Sequence, residues 1–86
     1  MILMDPAPNP ASGQVRIQFA VFISTRVELA LFDMQGSKLG LIFEGDLASG
    51  TYSYPVDIAR MPSGTYLVSL AASTGQRITK RLIIAN

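Results

Sequence analysis

The sequence predicts an all-β fold, an antiparallel β-sandwich of about seven strands, and three observations carry that reading. Apolar and polar residues alternate with a period of two through segment after segment, the pattern of strands with one buried face. Clusters of Gly, Pro, Asp, Asn and Ser separate those segments at short, even spacing, as turns between antiparallel strands require. No window of about eleven residues keeps apolar side chains at i, i+3, i+4 and i+7, so no amphipathic helix is expected.

Asp5-Pro6-Ala7-Pro8-Asn9-Pro10 holds three prolines. Proline fixes φ and pushes the residue before it toward extended backbone. Residues 1–10 therefore read as a Pro-rich linker, polyproline-like, leading into a domain of residues 11–86. Ala11-Ser12-Gly13 gives a turn. Val15, Ile17, Phe19, Val21 and Ile23 then alternate with Arg16, Gln18, Ala20 and Phe22, the first half-buried strand. Ser24-Thr25 breaks it, and Val27, Leu29 and Leu31 alternate with Arg26, Glu28 and Ala30 in the next.

Asp33-Met34-Gln35-Gly36 carries Asp first and Gly fourth, the preferences of a type I turn. A hairpin there returns the chain through Lys38 to Phe43, and Glu44-Gly45-Asp46 interrupts it. Next comes an internal echo: Ser49-Gly50-Thr51-Tyr52 recurs as Ser63-Gly64-Thr65-Tyr66. In each copy Gly ends a turn and Tyr falls early in a strand, and Pro62 suits the second turn. Those strands are expected over residues 51–58 and 65–71. Ala72-Ser73-Thr74-Gly75 is the last turn. The final strand runs from Gln76 to about Ala85, with Ile78, Leu82 and Ile84 on one face and Thr79, Arg81 and Ile83 on the other. Lys80 falls on the apolar face, which places it near an edge or requires a bulge that resets the register.

Composition narrows function mostly by exclusion. Eighty-six residues make one domain, and an apolar fraction of 49% is ample for a packed core. The net charge is +1, with basic residues spread from Arg16 to Arg81. Nucleic-acid binding would need them clustered on one face, so no nucleic-acid partner is expected. The apolar start Met1-Ile2-Leu3-Met4 is too short for a signal peptide, and no run approaches the roughly 20 apolar residues of a membrane span. The chain reads as a soluble piece of a longer protein.

His and Cys are both absent, which removes the commonest general base and the soft metal ligands. A serine nucleophile would have to rely on Lys38 or Lys80, with no motif to support it. No catalytic residue, cofactor or small-molecule substrate is expected. Glu44 and Asp46 form the one tight carboxylate pair, but calcium needs several more oxygens at fixed spacing, so the pair reads as solvating a turn and no metal is expected. Tyr52, Tyr54 and Tyr66 could make an aromatic platform, although tyrosines on strands more often bury the ring and leave the hydroxyl at the rim. Lys80-Arg81 could be a recognition handle, or charge that discourages edge-to-edge pairing.

Four features together resemble the C-terminal sorting domain of the type IX secretion system, type A, carried by secreted proteins of Bacteroidota. They are Pro8-Asn9-Pro10-Ala11 before an alternating strand; Val27 to Gly36, similar to the family's strand ending in an aromatic residue, Asp, two variable residues and Gly; the paired Ser-Gly-Thr-Tyr corners between Leu47 and Leu70; and the closing Thr79-Lys80-Arg81-Leu82-Ile83-Ile84. The likeness spans residues 8–86. Each piece is common alone, and their order and spacing make the set specific. Where the family often has Arg directly after the Gly of the second motif, this chain has Ser37 and then Lys38.

The resemblance implies an immunoglobulin-like sandwich that acts as a passport for a cargo preceding it. The cargo crosses the periplasm, an outer-membrane translocon recognises the domain, and a surface sortase of cysteine-protease type removes it, at or before Pro6, leaving the cargo on the cell surface or outside the cell. In this reading Asp33, Gly36, Gly50, Gly64 and Tyr66 are turn and motif residues. Lys80 and Arg81 add charge selectivity to a last strand open to β-augmentation, with Leu82 and Ile84 as anchors. The same segment serves equally as the sandwich's last structural strand. Two further readings stay open: a carbohydrate-binding or adhesive immunoglobulin-like accessory domain, disfavoured by the lack of Trp, and a structural spacer.

Overall fold

Period-two alternation along the chain becomes two facing layers. A computed structural model describes residues 1–86. It contains eight strands and no helix: β1 (Ile2–Leu3), β2 (Ala7–Ser12), β3 (Gln14–Val21), β4 (Thr25–Asp33), β5 (Lys38–Leu47), β6 (Gly50–Asp57), β7 (Gly64–Ala72) and β8 (Arg77–Ile84). In the first sheet β3 is central, with β6 along one edge and β1 and the start of β2 along the other. The second runs β2–β8–β7–β4–β5. Every pairing is antiparallel except that of β2 with β8. The expected all-β antiparallel sandwich is the observed class.

Between the sheets lie Val15, Ile17, Phe19 and Val21 from β3, Val27, Leu29 and Leu31 from β4, Val68 and Leu70 from β7, and Leu82 and Ile84 from β8, all buried. Burying a side chain of this size contributes about 1.5–3 kcal/mol. Phe19 stacks on Tyr52 and Tyr54, with ring centroids 5.5 and 5.9 Å apart, and Tyr54 stacks on Phe43 at 5.3 Å. This aromatic row closes the seam between the edge strands β5 and β6, so Tyr52 and Tyr54 turn their rings inward.

The repeated Ser-Gly-Thr-Tyr has one geometry in both copies. The Tyr52 hydroxyl donates to the Ala48 carbonyl at 2.6 Å, and the Tyr66 hydroxyl donates to the Pro62 carbonyl at 2.6 Å. Each hydroxyl thus reaches four residues back and ties the incoming loop to the strand, the device known as a tyrosine corner. A Cβ on Gly50 or Gly64 would meet the corner's own tyrosine at 3.8 Å. At the β4–β5 hairpin the Asp33 carboxylate accepts from the main-chain N–H groups of Gln35 (3.0 Å) and Ser37 (2.9 Å). Gly36 there takes φ +89°, a conformation open to glycine at no steric cost.

Three segments differ from the sequence pattern. Glu44-Gly45-Asp46 does not interrupt β5, which runs on to Leu47. Gly45 and Asp46 stand opposite Val27 and Arg26, and Arg26 lies 3.8 Å from Glu44 and 3.9 Å from Asp46, so the opposed charge makes the acidic stretch compatible with an edge ladder. β3 stops at Val21, leaving Phe22 and Ile23 at the β3–β4 corner 62% and 65% exposed. Finally, the proline-rich stretch contributes β1 and β2 to the sandwich, and Leu3 joins the core. Ala7 pairs with Arg16 in the first sheet, and Ala11 pairs with Ile84 in the second. Pro8 and Pro10 lie between those pairings, where missing N–H groups interrupt any continuous ladder and let the strand change sheets.

Candidate recognition strand

β8 is a single straight ladder against β7, from Gly64 opposite Ile84 to Ala71 opposite Arg77, without a shift of register. Lys80 therefore needs no bulge. It stands half-buried on the inward face between Ile78 and Leu82, at a level where β2 no longer covers the strand's outer edge, and its ammonium lies 3.4 Å from the exposed Asp5 carboxylate. Arg77, Thr79, Arg81 and Ile83 face outward and are exposed. Leu82 and Ile84 are 0% and 1% exposed. In the folded domain they anchor the strand to its own core and offer no surface to a partner.

The main-chain edge of β8 is the more informative part. Asn9 donates from Nδ2 to the Arg81 carbonyl at 3.0 Å and accepts at Oδ1 from the Ile83 N–H at 2.9 Å. The Ala85 N–H donates to the Ala11 carbonyl at 2.8 Å. Asn9's amide thus occupies the place of a residue in a neighbouring strand. These bonds also identify the odd-numbered residues of β8 as those whose main-chain groups turn away from β7, by the alternation of an antiparallel pair. The N–H and C=O groups of Arg77 and Thr79, and the N–H of Arg81, therefore lie on the edge that β2 does not reach.

Below that edge the chain is pinned again. Asn86 donates from Nδ2 to the carbonyls of Ile58 (2.7 Å) and Met61 (2.8 Å), and its Oδ1 accepts from the Gly13 N–H at 3.0 Å. The Asn86 N–H donates to Ser63 Oγ at 3.0 Å, and that hydroxyl donates back to the Asn86 carbonyl at 3.0 Å.

The motif residues fall into one neighbourhood with one exception. Asp33 stands opposite Tyr66, and Tyr66 opposite Leu82, so β4, β7 and β8 carry the three side by side. Gly64 faces Ile84, and Gly36 closes the adjoining hairpin, its N–H donating to the Asp33 carbonyl. Gly50 lies apart, opposite Val21 in the other sheet. Sequence reasoning missed Asn9 and Asn86. For Asn9 a signal existed: an asparagine between two prolines supplies side-chain hydrogen bonds where the neighbouring main-chain donors are missing.

Elsewhere the surface holds small charge pairs. Lys38 Nζ bonds Glu28 Oε1 at 2.8 Å on the outer face of the second sheet, and that hydrogen bond holds the Glu28 carboxyl below its ordinary pKa. An open hollow of about 510 Å³ at the lower end is lined by Leu31, Leu39, Met61 and Tyr66, with Asp33 and Arg60 among its lining residues. No cluster of His, Cys, Asp and Glu is arranged to hold a metal ion.

Comparison with known protein families decides what this sandwich is. Residues 7–85 match the family described as secretion system C-terminal sorting domain. The chain belongs to that family. A sorting domain of this type is the C-terminal signal for type IX secretion, which sends an attached cargo toward the cell surface or the extracellular space. The matched span begins at β2 and closes at Ala85, so it takes in the Asn9 clasp, both tyrosine corners and all of β8. No curated protein matches the chain.

Proposed function

We propose that this sorting domain is read in its folded state by the outer-membrane translocon of the type IX system, and that β8 with Lys80 and Arg81 is the element read. The cargo ahead of it passes through the periplasm. A sortase-type surface protease then cleaves upstream of the sandwich, at or before Pro6. Leu3 and Pro6 are buried, which ties residues 2–10 to the sandwich and favours cleavage toward the N-terminal side of Pro6. The domain is a substrate of this machinery and performs no catalysis. Asp33, Gly36, Gly64 and Tyr66 hold the corners beside β8, Gly50 holds the corner before β6 in the other sheet, and none of them contacts the machinery.

One observation carries this reading: within a sorting domain, Arg81 is exposed and Lys80 half-buried on the strand that ends the family match, while the aliphatic residues after them are locked into the core. The test is a fluorescent reporter carrying a periplasmic signal peptide and residues 1–86 at its C-terminus, expressed in a bacterium with a type IX system. The expected result is reporter on the surface or in the medium, with a new C-terminus mapped at or before Pro6. A Lys80→Ala/Arg81→Ala variant that stays folded is expected to remain in the periplasm. Full secretion of that variant would remove β8's basic pair from the recognition step.

A further inference from the structure

We propose that the partner recognising this domain adds an acidic β-strand to the open edge of β8 over Arg77–Arg81, and that Asn9 sets where that added strand must stop. The inference rests on the reading of β8 as the recognised element and names the partner's chemistry.

Three features of the strand support it. First, the main-chain groups have no hydrogen-bonded strand beside them: the N–H and C=O of Arg77 and Thr79 and the N–H of Arg81 face away from β7, β1 passes alongside paired to β3 instead, and the cover that begins at the Arg81 carbonyl is supplied by Asn9 and Ala11. Five residues at about 3.3 Å each give roughly 16 Å of edge, the length of an ordinary strand and enough for β-augmentation. Second, the charge is one-sided. Arg77, Lys80 and Arg81 lie along this edge, and β7, β8 and the turn joining them contain no acidic residue. Of the three, Arg77 turns back over β7, its Nη1 donating to Ser69 Oγ at 3.1 Å on the side of Glu28, whose carboxyl it helps to hold low, so Lys80 and Arg81 are the cations nearest the edge.

Third, the molecule itself shows where a carboxylate sits against this edge. Asp5, which is almost fully exposed, places Oδ1 3.4 Å from Lys80 Nζ. A strand laid beside β8 brings its own acidic side chain to that spot. A second copy of this chain is the poorer occupant, because antiparallel pairing of β8 with β8 about Thr79 sets Arg77 opposite Arg81 in both halves, and like charges across a strand pair are destabilising. The cations thus repel self-pairing and select an acidic partner. Asn9 supplies the register: an incoming strand meets its amide at Arg81 and extends no further, so pairing is confined to one short window.

The test uses the secreted reporter described above, with circular dichroism and thermal unfolding of the purified domain to establish that each variant folds. Thr79→Pro removes one outward N–H and spares the ladder to β7, where the even-numbered residues make the bonds; proline is tolerated at such an edge position. Secretion is expected to fall about tenfold or more, a loss of about 1.4 kcal/mol of recognition. Arg77→Glu/Arg81→Glu is expected to fall as far, whereas Arg77→Lys/Arg81→Lys stays close to wild type. Secretion of Thr79→Pro at the wild-type level, or of the Glu pair at that level, overturns the added-strand proposal. Loss with the Lys pair equal to that with the Glu pair overturns the charge argument. If Thr79→Pro is secreted normally while the Glu pair fails and binds anionic vesicles less than wild type does, the partner is a charged lipid surface and the proposal is wrong. Failure of the wild-type reporter to leave the periplasm would instead refute the reading of the domain on which this inference rests.

Discussion

The two halves of β8 share one ladder with β7 and differ in everything on the other side. Over Arg81–Ile84 the outer edge is filled by Asn9 and Ala11, and the inward side chains Leu82 and Ile84 sit in the core. Over Arg77–Lys80 the outer edge is hydrogen-bonded to no strand, although β1 of the first sheet passes beside it, the outward side chains are exposed, and the inward position at Lys80 is held by one surface ion pair. The basic-then-aliphatic run, which looks like one signal, is physically two devices. The aliphatic end fixes the strand, and the segment before it, with its cations, is left to be met by something else.

The largest effect expected from breaking this contrast is on the fixed half. Leu82→Ala deletes a fully buried side chain next to Tyr66 and is expected to lower unfolding free energy by about 2–5 kcal/mol in urea titration, a large fraction of the stability of so small a domain. A loss below about 1 kcal/mol would mean that the end of β8 is not packed as described.

Next comes the clasp. Asn9→Ala removes two hydrogen bonds of 3.0 and 2.9 Å and is expected to cost about 1–3 kcal/mol. It also exposes the main chain of Arg81 and Ile83, so edge pairing extends down the strand. Urea titration should show the loss of stability, and the Ile83 N–H of the variant should exchange faster than that of the wild type. Unchanged stability would show that Asn9 is dispensable to the edge.

Smaller effects are expected on the open half. Thr79→Pro, harmful to secretion, should reduce stability by only about 1 kcal/mol, because no native ladder bond uses the Thr79 N–H. A loss as large as that of Leu82→Ala would place this N–H inside the ladder. Lys80→Ala removes the pair with an almost fully exposed Asp5, worth about 0–1 kcal/mol at most. Thermal unfolding of wild type and variant should converge further as salt is raised.

What the sequence made legible follows from how local each signal is. Val15 to Val21 and Val27 to Leu31 alternate cleanly because each strand packs one face on the opposite sheet, and the same residues are the core. Asp33 and Gly36 were readable because a turn's bonds lie within a few residues. The echo of Ser-Gly-Thr-Tyr was visible as repetition, but the reach of each tyrosine hydroxyl to a carbonyl four residues back required the folded corner.

Signals that depend on distant partners were not legible. β1 and β2 hide behind prolines that read as linker, since Leu3 earns its burial only when β3 lies beside it. Glu44-Gly45-Asp46 read as a break because Arg26, its ionic partner, is eighteen or more residues away in sequence. At the candidate site, the alternation of β8 distinguished its two faces, yet the division of its edge depends on Asn9, more than seventy residues from the groups it bonds.

Amide hydrogen exchange of the purified domain, followed residue by residue by NMR, tests the division of β8 most directly. The account predicts slow exchange at Ile83 and Ala85, whose N–H groups are bonded to Asn9 and Ala11, slow exchange at the even-numbered positions facing β7, and fast exchange at Arg77, Thr79 and Arg81. Protection at Thr79 and Arg81 equal to that at Ile83 would contradict it, since the edge assigned to a partner would then already be occupied within the domain itself.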